Sequence, residues 1–181
     1  MLVTILTDAS WCPQTKAAGW GAWIATDRGK KQTGGAFKSM VPCNTTAEVL
    51  AITHALYKAI TNGLLFKNDT VLIQTDSIPA ISLLSTTRRS SNQLEADSLF
   101  YFMNLCLDNN LTVHFKHVKA HTNREEARFK ANTLCDAIAK NFMRTARKKL
   151  QNEANASKRT DKTTKFSSYG KRKVRRSARF N

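Results

Sequence analysis

Four carboxylates stand in runs whose other residues are largely apolar. Asp8 closes Val3-Thr4-Ile5-Leu6-Thr7, and Asp76 closes Val71-Leu72-Ile73-Gln74-Thr75. Glu48 lies within Thr46-Ala47-Glu48-Val49-Leu50-Ala51-Ile52, and Asp136 within Leu134-Cys135-Asp136-Ala137-Ile138-Ala139. An ionised carboxylate taken from water costs on the order of several kcal/mol unless it is paired, protonated or bound to metal. Singly, each acid reads as a cap or a salt-bridge partner. Gathered in one place they repel one another, and divalent cations are the natural remedy. The four together predict a centre for metal-dependent chemistry.

The elements that would position these acids follow from periodicity. Leu2 to Thr7 is rich in β-branched residues and reads as a buried strand. Residues 10–18 read as a polar loop. Gly19 to Thr26 and Gln32 to Lys38 read as a hairpin turning at Asp27-Arg28-Gly29-Lys30. Helical periodicity runs from Thr45 to Ile60, with Asn44 or Thr45 as N-cap and Asn62-Gly63 as the stop. Val71 to Thr75 is a fourth strand, followed by a short helix over Pro79 to Leu84. Ser90-Ser91-Asn92 caps a longer helix to about Asp108, Leu111 to Val118 is a fifth strand, and a last helix runs from Arg128 or Ala131 to Leu150. The predicted order is βββαβααβα, a five-stranded mixed sheet flanked by helices.

Charge divides the chain unevenly. Residues 1–143 hold 15 Lys and Arg against 11 Asp and Glu, a net of +4, whereas residues 144–181 hold 14 against 2, a net of +12. The expected organisation is an α/β domain over residues 1–149 and a basic, intrinsically flexible tail over 150–181. Such a tail is the electrostatic footprint of a polyanionic partner. Cys12, Cys43, Cys106 and Cys135 form no C-x-x-C pair, which reads as unpaired thiols with no disulfide-linked partner. No basic leader precedes the first apolar run and no apolar run reaches the roughly 20 residues of a membrane helix. The expectation is an intracellular, cytoplasmic protein without a membrane partner, with nuclear import of the basic tail as the alternative.

Five short motifs in order resemble the type 1 ribonuclease H family over about residues 2–142. Leu6-Thr7-Asp8-Ala9-Ser10 is similar to the family's T-D-G-S, and Asn44-Thr45-Thr46-Ala47-Glu48 to its helix-start motif. Thr75-Asp76-Ser77 matches T-D-S, Val118-Lys119-Ala120-His121 resembles V-K-G-H, and Asn132-Thr133-Leu134-Cys135-Asp136 resembles N-E-x-[AC]-D. The resemblance implies an RNase H-like fold and hydrolysis of the RNA strand of RNA–DNA hybrids, or of a related RNA duplex. It implies two magnesium ions, with manganese as the alternative ion. Asp8, Glu48, Asp76 and Asp136 would be catalytic metal ligands, and His121 would assist proton transfer or product release. Ser10, Asn44 and Thr45 would touch nucleic acid. His54, His114 and His117 read as structural.

Departures from the family fall on the substrate side. Ala9 replaces a glycine, Trp11-Cys12-Pro13-Gln14-Thr15-Lys16-Ala17-Ala18 replaces a glycine-rich loop, and Cys43 stands at a phosphate-binding threonine position. Residues 85–92 are too few for the family's basic handle helix, and the stretch from His121 to Asp136 is about five residues longer than usual. The tail offers Lys148, Lys149, Lys158, Arg159, Lys162, Lys165, Lys171, Arg172, Lys173, Arg175, Arg176 and Arg179 as phosphate contacts, with Phe166, Tyr169 and Phe180 able to stack on unpaired bases. A second reading therefore stays open: an RNA- or ribosome-binding factor, docked on ribosomal RNA through its tail, with cleavage secondary or absent. A transposase or junction resolvase on the same fold ranks third, because its acids are differently spaced.

Overall fold

The computed structural model describes the backbone of residues 1–86, 88–118 and 127–176, and the side chains of the same residues except 127–129 and 157–176. The chain divides into two units, Met1–Arg147 and Lys148–Asn181. In chain order the elements are β1 (Leu2–Trp11), β2 (Ala18–Thr26), β3 (Gly29–Ala36), α1 (Asn44–Thr61), β4 (Thr70–Thr75), α2 (Ile78–Leu84), α3 (Gln93–Asp108), β5 (Thr112–His117) and α4 (Ala127–Arg176). The predicted order stands, and the sheet is five-stranded and mixed, in the order β3-β2-β1-β4-β5.

β1 is longer than its apolar run. It continues through Asp8 to Trp11, because β2 keeps pairing with it antiparallel as far as Trp11↔Ala18. On its other side the parallel partner β4 stops at Leu6↔Gln74. Polar residues beyond Leu6 are tolerated in a strand that has lost one neighbour, and the opening left there is where the acids meet. The loop expected over residues 10–18 shrinks accordingly to the turn between β1 and β2.

Alternation along β1 sorts the two faces of the sheet. Val3 and Ile5 join the main core with Val49, Ile52 and Leu56 of α1 and Phe102 of α3. Leu6 points the other way, to Ala131 and Cys135 of α4. The α4 side is closed by glycines: a Cβ at Gly19, Gly21 or Gly34 would run into Met143, the Cys135 carbonyl or Ile138, respectively. Glycine is needed at these positions for close approach, so α4 sits directly on the β2–β3 hairpin.

The N-cap of α1 is Cys43, not Asn44 or Thr45. Thr46 is instead drawn into a buried network that binds α1 to α3. Its hydroxyl donates to Glu95 Oε1 at 2.9 Å, while Ser91 donates its N–H and hydroxyl to Glu95 Oε2, both at 2.8 Å. Asn62 closes α1, Ser77 caps α2 and Asn92 caps α3. Between Leu84 and Gln93 no helix lies among the described residues.

The helix expected to end near Leu150 has helical backbone to Arg176. Lys, Arg, Gln, Glu and Ala dominate residues 147–156, and no proline or glycine interrupts before Gly170, so local propensity carries the helix on. Within the second unit Lys149 and Glu153 form an exposed i,i+4 pair. No described helix is long and apolar enough to cross a membrane.

Candidate metal centre

Three of the four predicted acids converge. Extending the β1–β4 register by two residues past Leu6↔Gln74 sets Asp8 beside Asp76, at the carboxyl ends of neighbouring parallel strands. Glu48, in the second turn of α1, completes the group. One carboxylate oxygen from each of Asp8, Glu48 and Asp76 lies within 4.8 Å of the other two. Asp136 reaches the rim from α4. It lies outside that tight group, but its charge acts on Asp8, and its Oδ2 accepts from Lys140 Nζ at 2.7 Å.

The electrostatics are those of a crowded acid cluster. Burial, then Asp76 and Asp136, raise the Asp8 carboxyl from 3.8 to about 7, against the opposing Ala9 N–H and Lys140 ammonium. Glu48 is held well above the usual carboxylate range, by burial first and then by Asp8 and Asp76, with the Ala9 N–H opposing. Glu48 is 3% exposed, and its Oε2 has no hydrogen-bonding partner among the described residues. A buried, unpartnered carboxylate oxygen facing two further carboxylates costs free energy that a hard divalent cation would recover. The all-oxygen donor set suits magnesium or manganese better than zinc. The residues present therefore fit a divalent metal.

The remaining predicted residues fall in different places. Ser10 is half-buried, two residues beyond Asp8 on the same strand, and Asn44 and Thr45 form the first turn of α1, exposed and half-buried. His121 and Arg179 lie outside the described residues. Lys148 and Lys149 are exposed on α4, in the second unit. Lys158, Arg159, Lys162, Lys165, Lys171, Arg172, Lys173, Arg175 and Arg176 lie on its helical backbone, and their side chains are outside those described. His54 is structural, its ring between Trp20 and Phe37 with Nδ1 2.9 Å from the Leu50 carbonyl. His117 is exposed on β5 with Nε2 3.2 Å from the Asp76 carbonyl oxygen.

Residues not anticipated from the sequence also shape the centre. The Ala9 N–H opposes the upward shift of both Asp8 and Glu48, a backbone influence no side-chain pattern announces. Lys140 was signalled by its i+4 spacing from Asp136. Glu95 was signalled by Asn92-Gln93-Leu94-Glu95, a capping-box spacing. All four cysteines are free. Burial pushes the Cys106 and Cys135 thiols up to about 11 and about 12, whereas the Thr15 hydroxyl leads a set of donors that lowers Cys12.

Comparison with known proteins identifies the family and the fold. The RNase H family model matches residues 2–144. No curated protein matches. Among solved structures, the RNase H1 of Halobacterium salinarum is 18% identical, with a TM-score of 0.63 over 81% of this chain and 100% of that one. The N-terminal RNase H domain of a Mycobacterium tuberculosis protein is also 18% identical, with a TM-score of 0.62 over 82% and 97%. LC11-RNase H1, crystallised with an RNA/DNA hybrid, is 15% identical, with a TM-score of 0.60 over 80% and 98%. These structures share the fold, and the family match spans the sheet, all three acids of the cluster and Asp136. The chain thus belongs to the RNase H family and is a ribonuclease H-type endonuclease.

Proposed function

We infer that this endonuclease hydrolyses the RNA strand of RNA–DNA hybrids, or of a related RNA duplex, with two magnesium ions held by Asp8, Glu48, Asp76 and Asp136. The observation that carries the reading is the unpartnered, buried Oε2 of Glu48 facing Asp8 and Asp76. Held by these four carboxylates, such cations would supply activation of a water and stabilisation of the leaving oxygen in an in-line displacement. The chain's own groups do the rest. The Ala9 N–H favours the ionised Asp8 and Glu48 carboxylates, and Lys140 pairs with Asp136 at the rim. Ser10, two residues past Asp8, and Asn44 and Thr45, in the turn before Glu48, are the residues assigned to substrate contact, where the 2′-hydroxyl is the group that distinguishes RNA from DNA. His121 moves a proton at the leaving group or assists product release, a role that rests on the family resemblance.

The basic tail over 150–181 anchors the enzyme on nucleic acid through phosphate contacts, with aromatic stacking adding affinity without sequence preference. A hybrid labelled separately on each strand tests the activity. The expected result is magnesium-dependent cleavage of the RNA strand and an intact DNA strand. Failure to cut RNA, with magnesium or manganese and at low salt, would overturn the reading and favour docking on structured or ribosomal RNA.

A further inference from the structure

Helix α4 carries Asp136, Lys140, Arg144 and Arg147 at intervals of four, four and three residues. That spacing keeps them on one stripe of a helix, and all three cations are exposed. The stripe follows β1 along its length. Leu6 packs with Ala131 and Cys135, Asp8 lies in the field of Asp136 and Lys140, and Gly19, at the start of β2, meets the Met143 backbone. It therefore begins at the carboxylate cluster and ends at the β1–β2 turn.

That turn is itself braced and basic. Cys12 N donates to Ala17 O and Lys16 N to Cys12 O, both at 2.8 Å. Lys16 adopts a left-handed backbone (φ 57°), and its ammonium lies 4.8 Å from the Trp11 ring centroid and 3.3 Å from the Pro42 carbonyl oxygen. The Trp11 indole N–H donates to Val41 O at 2.8 Å.

A cationic helix stripe is ordinarily a solvated face. Here the helix is held close against β2 along this length, Lys140 pairs with Asp136, and the start coincides with the acid cluster. At about 1.5 Å per residue, Lys140 to Arg147 spans about 10 Å. One strand of a duplex presents a phosphate about every 3.4 Å along the axis, so about three phosphates fall in that length, one for each cation. We propose that the Lys140–Arg144–Arg147 stripe, closed at its far end by the β1–β2 turn, binds the sugar–phosphate backbone of one strand of a nucleic-acid duplex and leads it to the carboxylate centre. The surface belongs to the first unit and acts independently of the tail. The proposal rests on the nuclease reading for its substrate.

Its test uses the full chain in an Asp76→Asn background without metal, so that binding is read apart from cleavage. The probe is an RNA–DNA hybrid, and the dissociation constant is followed against salt. Arg144→Gln with Arg147→Gln is compared with Lys30→Gln with Lys67→Gln, which removes the same charge at the opposite end of the sheet. The expected result is a log–log salt slope shallower by about two for the α4 pair and at least about tenfold weaker binding at low salt. The control pair should change little, and Arg144→Lys with Arg147→Lys should restore the slope, which a packing role for Arg147 would not. An unchanged slope, or an equal change in the control pair, would overturn the proposal. Absence of cleavage by the unsubstituted chain would instead defeat the nuclease reading and leave this comparison standing.

Discussion

At the scale of single residues, the acid cluster imposes a signed pH dependence on the metal-free protein. Asp8 titrates at about 7 when folded, against 3.8 ordinarily. A carboxyl raised on folding contributes stability that is complete below about pH 4 and lost as the pH climbs through the folded value, a difference on the order of a few kcal/mol. In a chelator, the unfolding midpoint should therefore fall between pH 4 and pH 8, and Asp8→Asn should flatten that fall. Magnesium at pH 8 should raise the midpoint of the unsubstituted protein and leave that of Asp8→Asn nearly unmoved. Identical pH profiles for the two proteins would contradict the charge assignment. These acids were legible in the sequence because burial penalises a carboxylate inside an apolar run unless a cation or donor offsets it. The Ala9 N–H was not legible, since a backbone donor leaves no mark on residue type, and the Asp136–Lys140 pair showed only as a spacing.

At the scale of elements, the centre depends on two joints. One is the contact of α4 with the β2–β3 hairpin, where Gly21 faces the Cys135 carbonyl. Gly21→Ala should lower stability by about 1–3 kcal/mol through overpacking, read as a fall in the thermal midpoint. It should also weaken magnesium binding by shifting Asp136, which Cys135 adjoins. The other joint is Glu95, buried at the start of α3. Burial pushes its carboxyl up, but the Ser91 N–H and hydroxyl, the Thr46 hydroxyl and Arg88 together bring it below the usual value. Glu95→Ala leaves those donors unsatisfied and should cost about 2–4 kcal/mol, while a denaturant midpoint within error of the unsubstituted protein would dismiss the joint. The order of elements was legible because strand and helix periodicities alternate clearly. The length of β1 was not, because residues 8–11 are held by pairing with β2 alone, and pairing is a tertiary fact. Helix α4 outran its expected end because its propensity persists where its apolar stripe stops.

At the scale of the whole molecule, charge is segregated. Residues 150–181 carry 10 Lys and Arg against 2 acids. Deleting them should weaken hybrid binding and flatten its salt dependence, raising the KM for cleavage while leaving kcat within about twofold, as expected when uniform binding is lost. Loss of kcat itself would place the tail inside the chemistry and contradict an anchoring role. This partition was legible from composition alone. The stripe on α4 was not, because its meaning depends on which strand the helix lies against. Nuclease function at every scale requires the carboxylates to be a working metal centre. The decisive experiment is cleavage of a labelled RNA–DNA hybrid by the unsubstituted chain and by Asp76→Asn, side by side in magnesium. RNA should be cut by the first, with a loss of at least about a hundredfold in the second, as for removal of a group that stabilises the transition state. Equal cleavage by both proteins would mean that the carboxylates are not the metal centre.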